Sequence, residues 1–330
     1  MKKTLLFAAL LFATATAAQT PATTKVPTNR YAMKLEANAD GSYSLLNEQR
    51  YAKLVDLSKI DDLLVPYEHV NDRLSSRDYR GVETRDVVYT THDGYTLSLT
   101  VDLAVSDQPT PVVFYLHGGG WERGNNSALR IQSQYMAKQH GVTGVRLNYT
   151  LAPQEGATVL VSIQDVQAAV QYIRDHAKEF NIDPSRMGFV GTSAGAHLAA
   201  AGAMTTPEAK AFVGYSGIYD LETAAISSRA KKEPRVTYFC GKDPKVLRAA
   251  SPINLIPKKP RLAVLLFCGT ADTTVEYEQS TRFAQALKSK GDKQVEVKIY
   301  ENYDHNLNAK ASDKMEEIFF LTMDFLAANL

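Results

Sequence analysis

Residues 187–200 read MGFVGTSAGAHLAA: a short apolar run, a turn with a serine between two glycines, and an alanine-rich stretch. The run predicts a buried strand and the alanines predict a helix, so the segment Gly191 to Gly195 forms the turn between them. A G-x-S-x-G sequence in this strand–turn–helix context is typical of a nucleophile elbow, which lifts a serine hydroxyl above the edge of a sheet. The alternative is a glycine-rich helix start without chemistry. Ser193 is therefore the candidate nucleophile.

Apolar runs alternate with helix-like segments on both sides of this turn. Strands are predicted over 85–91, 95–103, 112–116, 142–148, 187–190, 211–215, 262–267 and 295–300, and helices over 127–140, 159–180, 194–204, 279–290 and 314–328. The first two strands flank His92-Asp93-Gly94, which predicts a β-hairpin. Alternation of strands and helices predicts an α/β fold with a mostly parallel sheet of about eight strands and helices on both faces.

The first 18 residues have the features of a secretory signal peptide. Lys2 and Lys3 precede an apolar run, 5–13, that is too short to span a bilayer, and small residues follow. We expect cleavage near residue 18 and an exported, periplasmic or secreted protein without membrane anchoring. An uncleaved anchor is the alternative.

Domain organisation follows from changes in composition. Residues 19–80 are expected to form a leader and an N-terminal extension, whose part from 31 to 80 either packs on the main domain or flanks its site. Residues 81–330 are expected to form the catalytic domain. Five prolines interrupt the strand–helix rhythm over 217–260, which indicates an insertion near the pocket.

Composition excludes several classes of function. The chain has 37 Lys and Arg against 36 Asp and Glu, a net charge of +1, so binding to nucleic acid or to an anionic membrane is not predicted. Its two cysteines and seven histidines show no zinc-ligand spacing, and no metal is expected. The oxidising compartment of an exported protein permits a disulfide between Cys240 and Cys268. However, Cys268 ends an apolar run, which favours buried free thiols.

Residues 117–121 read HGGGW and directly follow the strand predicted over 112–116. Acyl transfer builds a negative oxygen that needs backbone N–H donors, and glycines let the backbone approach it. The candidate donors are the N–H groups of Gly119, Gly120 and Ala194. A flexible turn or a phosphate cradle is the alternative, but the glycine patterns of dinucleotide and P-loop sites are absent from this stretch.

The other two residues of this stretch have open roles. His117 is expected to brace the loop rather than to act as a base. Trp121 either lines the substrate pocket or is a partly buried aromatic residue.

A serine hydroxyl needs a base, and two histidines follow Ser193 in the chain. His197 lies one turn along the predicted helix, where we expect it to pack or to form a hydrogen bond. His305 follows the strand predicted over 295–300, at a carboxyl end where catalytic groups of open α/β sheets gather. His305 is therefore the candidate base.

The base in turn needs a carboxylate to fix its tautomer. Asp272 follows the strand predicted over 262–267 and is our first choice. Asp220, after the strand over 211–215, and Asp304, next to the histidine, are the alternatives.

These residues resemble the α/β-hydrolase superfamily. More narrowly, the chain resembles bacterial esterases that include hormone-sensitive-lipase-like enzymes and the feruloyl and acetyl-xylan esterase-like group. The resemblance runs from about Thr84 to the C-terminus and rests on HGGGW at 117–121, NYTLAP at 148–153, IDPSRMGFVGTSAGAHLAA at 182–200, ASPINLI at 250–256 and GTADTTV at 269–275. The order Ser193, Asp272, His305 is also that of the superfamily. Thr192 and Ala196 depart from the lipase-like pattern and favour the feruloyl and acetyl esterase side.

The resemblance implies a serine carboxylic-ester hydrolase that forms an acyl-enzyme and needs no cofactor. Its implied substrates are short-chain acyl esters or acetyl and feruloyl groups linked to polysaccharides. A serine peptidase or amidase of the same fold and a non-catalytic binding protein remain as alternatives.

Overall fold

The computed structural model describes residues 35–37, 42–45, 55–56, 79–224, 239–260, 262–292, 294–307 and 314–330. The chain divides into two units, Met1–Ile60 and Asp61–Leu330. The first contains an antiparallel sheet of three short strands in sequential order, β1 (Leu35–Ala37), β2 (Ser42–Leu45) and β3 (Val55–Asp56). The predicted signal peptide and the leader as far as residue 30 lie outside the described residues.

The second unit contains an eight-stranded sheet. Its strands are β4 (Glu83–His92), β5 (Tyr95–Leu103), β6 (Thr110–Leu116), β7 (Thr143–Leu147), β8 (Ile182–Thr192), β9 (Ala209–Tyr215), β10 (Ala263–Gly269) and β11 (Val295–Tyr300). Their order in the sheet is β11-β10-β9-β8-β6-β7-β5-β4. The β4–β5 and β5–β7 pairs are antiparallel and the other pairs are parallel. The predicted mostly parallel sheet of about eight strands is confirmed.

Helices follow most of the parallel strands. They are α1 (Arg130–His140), α2 (Val159–Asp175), α3 (Ala194–Thr205), α4 (Leu221–Ala224), α5 (Pro244–Ala250), α6 (Pro252–Leu255), α7 (Glu278–Ser289) and α8 (Lys314–Asn329). Helix α2 ends five residues before the predicted boundary. The ring of His176 stacks on Tyr172, and its Nδ1 lies 2.8 Å from the Tyr172 carbonyl oxygen, so the side chain takes a carbonyl at the helix end.

The core lies on both faces of this sheet, because successive strand residues point to opposite sides. In β6, Val112, Phe114 and Leu116 face one cluster, which α2, α3 and α7 cover. Val113 and Tyr115 face the other cluster, which α1 and α8 cover. The prediction of helices on both faces is thus confirmed. Each fully buried aliphatic or aromatic side chain contributes about 1.5–3 kcal/mol to folding.

The carboxyl ends of β6, β8, β10 and β11 lead into the loops that carry the candidate catalytic residues. Parallel strands place these ends at one edge of the sheet. Within the part of the chain that is described, no helix is long and apolar enough to cross a bilayer.

Candidate active site

Ser193 stands in a strained turn between β8 and α3. Its backbone has φ 53° and ψ −120°, a region that residues other than glycine rarely adopt. A Cβ on Gly191 would overlap the carbonyl oxygen of Gly195, and a Cβ on Gly195 would overlap the carbonyl oxygens of Leu116 and His117. Both glycines are therefore required by close backbone approach. The predicted strand–turn–helix geometry is present.

His305 meets the serine from the loop after β11. Its Nε2 lies 2.9 Å from Ser193 Oγ, although the two residues are far apart in sequence. That distance is within hydrogen-bonding range for a base and its nucleophile. The imidazole is only partly exposed, since 19% of its side-chain surface reaches solvent.

Asp272 meets the other side of the imidazole from the loop after β10. Its Oδ2 lies 2.7 Å from His305 Nδ1. Its Oδ1 accepts the N–H groups of Thr274, at 2.8 Å, and Val275, at 2.9 Å. The carboxylate is buried and held on both oxygens, which orients it toward the ring. With Nδ1 donating to this carboxylate, the lone pair of Nε2 faces the serine.

The two alternative carboxylates have other partners. Asp220 Oδ1 accepts the N–H groups of Glu222 and Thr223 at the start of α4. Asp304 Oδ1 accepts the N–H of Asn306, two residues further along the same loop. Of the three aspartates considered, the structure places Asp272 against the candidate base.

His197 is buried beside the nucleophile helix and makes the hydrogen bond expected of it. Its Nε2 lies 2.8 Å from the Ala250 carbonyl oxygen. Burial lowers the pKa of His197 to about 4, so the ring is neutral near pH 7.

The segment between β6 and α1, residues 117–129, is called the glycine loop below. Gly119 and Gly120 have φ values of 121° and 66°. A Cβ on Gly118 would lie 3.4 Å from Ser193 Cβ, so the loop passes directly beside the serine. Within the described part of the chain, the N–H groups of Gly119, Gly120 and Ala194 donate no hydrogen bond. They are thus free to bind an oxygen of a substrate.

His117 braces this loop, as predicted. Its ring stacks on Tyr149 at a centroid distance of 4.3 Å, and its Nδ1 lies 2.7 Å from the Gly118 carbonyl oxygen. The Tyr149 hydroxyl donates to the His117 carbonyl oxygen at 2.7 Å. Burial lowers the pKa of His117 to about 4, which suits a structural rather than an acid–base part. The bracing by Tyr149 was missed from the sequence, although this residue lies in the NYTLAP motif.

Trp121 packs into the core rather than standing open to solvent. Only 2% of its surface is exposed, and its ring meets His197 edge-on at 5.4 Å. Its backbone carbonyl accepts the N–H of Ala152 at 2.7 Å, which ties the glycine loop to the loop after β7. Of the two roles considered for Trp121, this burial favours the packed aromatic.

Gln279 organises the start of the predicted insertion and was not predicted. Its side-chain oxygen accepts the N–H groups of Tyr219 and Asp220, and its nitrogen donates to the Asp220 carbonyl and the Thr223 hydroxyl. The sequence gives no signal for these contacts, which join α7 to a distant loop. Residues 225–238 of the insertion lie outside the described residues, so a role in shaping the pocket stays a prediction.

The two cysteines are free and buried, in agreement with the favoured expectation. Burial raises the pKa of the Cys240 thiol to about 12 and that of Cys268 to about 11. Among the described residues, no group of three or more His, Cys, Asp and Glu is placed to hold a metal ion.

The sheet order and the elbow serine define an α/β-hydrolase fold. The BD-FAE family model matches residues 102–287, which is more than half of the chain. The chain therefore belongs to the BD-FAE family, and the resemblance stated from the sequence is confirmed.

Curated relatives of the chain include proteins named as esterases. It is 37% identical over 101 residues to an acetyl esterase of Salmonella schwarzengrund, covering 30% of this chain and 31% of the relative. It is 26% identical over 234 residues to the esterase LipQ of Mycobacterium tuberculosis, covering 66% and 55%. The chain thus spans about a third to a half of the length of these relatives.

Solved structures of similar fold include an esterase in several forms. The propionate-bound thermophilic esterase Est2 of Thermogutta terrifontis is 26% identical, with a TM-score of 0.62, and the match covers 76% of this chain and 95% of that one. The same esterase phosphorylated by paraoxon is 25% identical, with a TM-score of 0.60 and coverages of 78% and 97%.

Proposed function

We propose that this chain is an exported carboxylic-ester hydrolase that forms an acyl-enzyme on Ser193. The observation that carries the proposal is the continuous line of hydrogen bonds from Ser193 Oγ through His305 to Asp272, at 2.9 and 2.7 Å. Three residues that are distant in sequence meet at one sheet edge in the arrangement that serine hydrolases use.

In the acylation step, His305 Nε2 takes the proton of the Ser193 hydroxyl while Oγ attacks the ester carbonyl carbon. Asp272 stabilises the imidazolium that forms, and does so without taking the proton itself. The tetrahedral intermediate carries a negative oxygen. The N–H groups of Gly119, Gly120 and Ala194 are the proposed donors to it, with the last at the N-terminus of α3, where negative charge is favoured.

Collapse of the intermediate breaks the bond to the alcohol, which leaves with the proton held on His305. A water molecule then approaches the acyl carbon, and His305 removes its proton as it attacks. The second tetrahedral intermediate releases the carboxylic acid and restores the serine hydroxyl. Besides the water molecule, these steps use side chains and amides of the described residues.

The proposed substrates are esters of short acyl groups, including acetyl or feruloyl groups on polysaccharides. Two comparisons support a short acyl group: the relative from Salmonella is an acetyl esterase, and structures of Est2 hold propionate or butyrate. The polysaccharide-linked part rests on the resemblance in the motifs. Export rests on the composition of residues 1–18.

A substrate panel tests the activity. The purified chain without residues 1–18 is given p-nitrophenyl acetate, butyrate and octanoate, methyl ferulate, acetylated xylan and p-nitroanilide peptides. We expect hydrolysis of acetate and butyrate esters well above octanoate. Turnover of the anilides alone would make the chain a peptidase or amidase, and hydrolysis of nothing in the panel would favour a binding protein.

Paraoxon tests the nucleophile directly, because Est2 has been captured in its phosphorylated form. We expect one diethylphosphoryl group on Ser193 by peptide mass spectrometry and none on the Ser193→Ala variant.

The mass of the protein recovered outside the cytoplasm of an expressing bacterium tests export, with loss of about 18 residues expected.

A further inference from the structure

A buried ion pair lies beside the glycine loop, away from the three proposed catalytic side chains. Arg146 on β7 is 5% exposed and Asp102 on β5 is fully buried. Arg146 Nε donates to Asp102 Oδ2 at 2.7 Å, and Nη2 donates to Oδ1 at 3.1 Å. Ser133 and Gln134 of α1 also donate to this carboxylate. Every lone-pair direction of the buried carboxylate is therefore used.

The third nitrogen of the guanidinium reaches the glycine loop. Arg146 Nη1 donates to the carbonyl oxygen of Asn126 at 2.5 Å. The N–H of Asn126 donates to Asn148 Oδ1 at 2.8 Å, and its Nδ2 donates to Thr100 Oγ1 at 2.8 Å. The backbone and side chain of Asn126 are thus held by three residues of β5 and of β7 with its following loop.

Stability alone does not account for this arrangement. Removing two charges from water costs free energy that an apolar pair of equal size does not cost. What the charged pair supplies is a fixed orientation of its hydrogen bonds. The planar guanidinium holds a carboxylate with two nitrogens and a carbonyl with the third, which the single nitrogen of a lysine cannot do.

The glycine loop needs such an anchor on this side. Near the serine it is fixed by the stacking of His117 on Tyr149 and by the bond from Ala152 to Trp121. Gly119 and Gly120 lie between these two points and adopt positive φ values. The loop then folds back against them, because a Cβ on Gly119 would overlap the Arg123 carbonyl oxygen and a Cβ on Gly124 would lie 2.7 Å from the Gly118 carbonyl oxygen. Asn126 is two residues beyond Gly124. A shift at Asn126 would therefore be passed to the amides of these glycines.

We infer that Arg146, held by Asp102, is a positioning residue that sets the glycine loop for catalysis through the Asn126 carbonyl. This inference rests on the proposed function, because it concerns the donors to the oxyanion. Arg146 touches no reacting atom. Its loss should raise the barrier of the chemical step while KM and the pH dependence of kcat/KM stay the same.

The test compares Arg146→Lys with Arg186→Lys. Arg186 on β8 also pairs with an aspartate, Asp183, and donates to the carbonyl of Pro109, but it is more exposed and lies near the amino end of its strand. For Arg146→Lys we expect kcat to fall about 10- to 100-fold, with KM and the pH midpoint of kcat/KM unchanged. Affinity for a trifluoromethyl ketone, which forms an oxyanion on the serine, should fall by the same factor as kcat/KM. Arg186→Lys should leave all four quantities as in the wild type.

A second variant, Arg146→Met combined with Asp102→Leu, keeps the inference testable if Arg146→Lys does not fold. Replacing both partners by apolar side chains leaves no unpaired buried charge and removes the bond to the Asn126 carbonyl, so the same fall in kcat at constant KM is expected. Wild-type kcat in a folded Arg146→Lys or in the double variant would overturn the inference while the esterase proposal stands. A wild-type chain that hydrolyses no ester would overturn both.

Discussion

Asp272 approaches His305 with one carboxylate oxygen and uses the other to accept two backbone N–H groups of its own loop, from Thr274 and Val275. The carboxylate is therefore fixed before the histidine meets it. Because both Asp272 and the imidazole are held, the lone pair of Nε2 has one direction available, toward Ser193.

This arrangement predicts a large loss on Asp272→Asn. An amide that donates to Nδ1 would hold the ring in the wrong tautomer, so kcat should fall about 10³- to 10⁴-fold. Asp220→Asn is the control, because its carboxylate accepts N–H groups at the start of α4, where asparagine serves as well. Hydrolysis of p-nitrophenyl butyrate by both variants is the measurement. A severe loss at Asp220 with little change at Asp272 would move the acid of the triad.

Ser193→Ala removes the proposed nucleophile and leaves the fold. We expect kcat to fall by about 10³-fold or more, since the remaining site retains only the part of catalysis that binding and the oxyanion donors supply. The thermal midpoint should not fall, because the hydroxyl contributes no packing to the core. Turnover close to that of the wild type would end the proposal for Ser193.

Gly195→Ala should separate the glycine loop from the elbow and lower kcat. The added methyl overlaps the carbonyl oxygens of Leu116 and His117, both backbone atoms, so the glycine loop and the elbow must separate. A displacement of about 1 Å can cost about 10²-fold in kcat. Gly202→Ala on the same helix is the control, because its methyl meets the side chains of Val166 and Phe189, which can adjust. We expect that control to lose stability and retain kcat. Equal activity in the two variants would contradict the proposed contact.

Acid should destabilise the protein through its buried neutral histidines. Burial lowers the pKa of His197 to about 4 from an ordinary value of 6.5, so below pH 6.5 the unfolded chain binds a proton that the folded chain does not. The contribution of the neutral His197 to the free energy of unfolding is complete above pH 6.5 and is lost as the pH falls toward 4. At pH 5 the loss is about 2 kcal/mol for this residue.

Urea unfolding at pH 8 and pH 5 measures the effect. The difference between the two free energies of unfolding should shrink by about 2 kcal/mol in His197→Asn, whose side chain does not titrate. The value at pH 8 serves as the internal control, since the histidine is neutral there in both states. An unchanged difference would show that His197 is not the group responsible.

The sequence predicted the candidate catalytic residues better than the residues that hold the surrounding loops in place. Ser193 stands out because a motif and a strand end coincide there, and His305 because it follows Ser193 in the chain and lies at a strand end. Asp272 could be preferred among three aspartates because it follows a strand and lies in the GTADTTV motif. Asp102, Arg146 and Gln279 could not be found, because their partners are distant in sequence and charged residues within strands read as exposed. The start of β8 was also missed: Ile182 pairs with Thr110 before a register shift, so the strand begins ahead of its apolar run. Export stays a prediction.

The backbone of Ser193 carries a further consequence. At φ 53° an L side chain is conformationally costly, and a glycine would relieve a strain of about 1–3 kcal/mol. The strained backbone of Ser193 thus lowers the free energy of unfolding, and the serine supplies the hydroxyl at that cost. Heat resistance and chemical competence oppose each other at this one position, so selection for thermal tolerance alone would drift toward an inert protein.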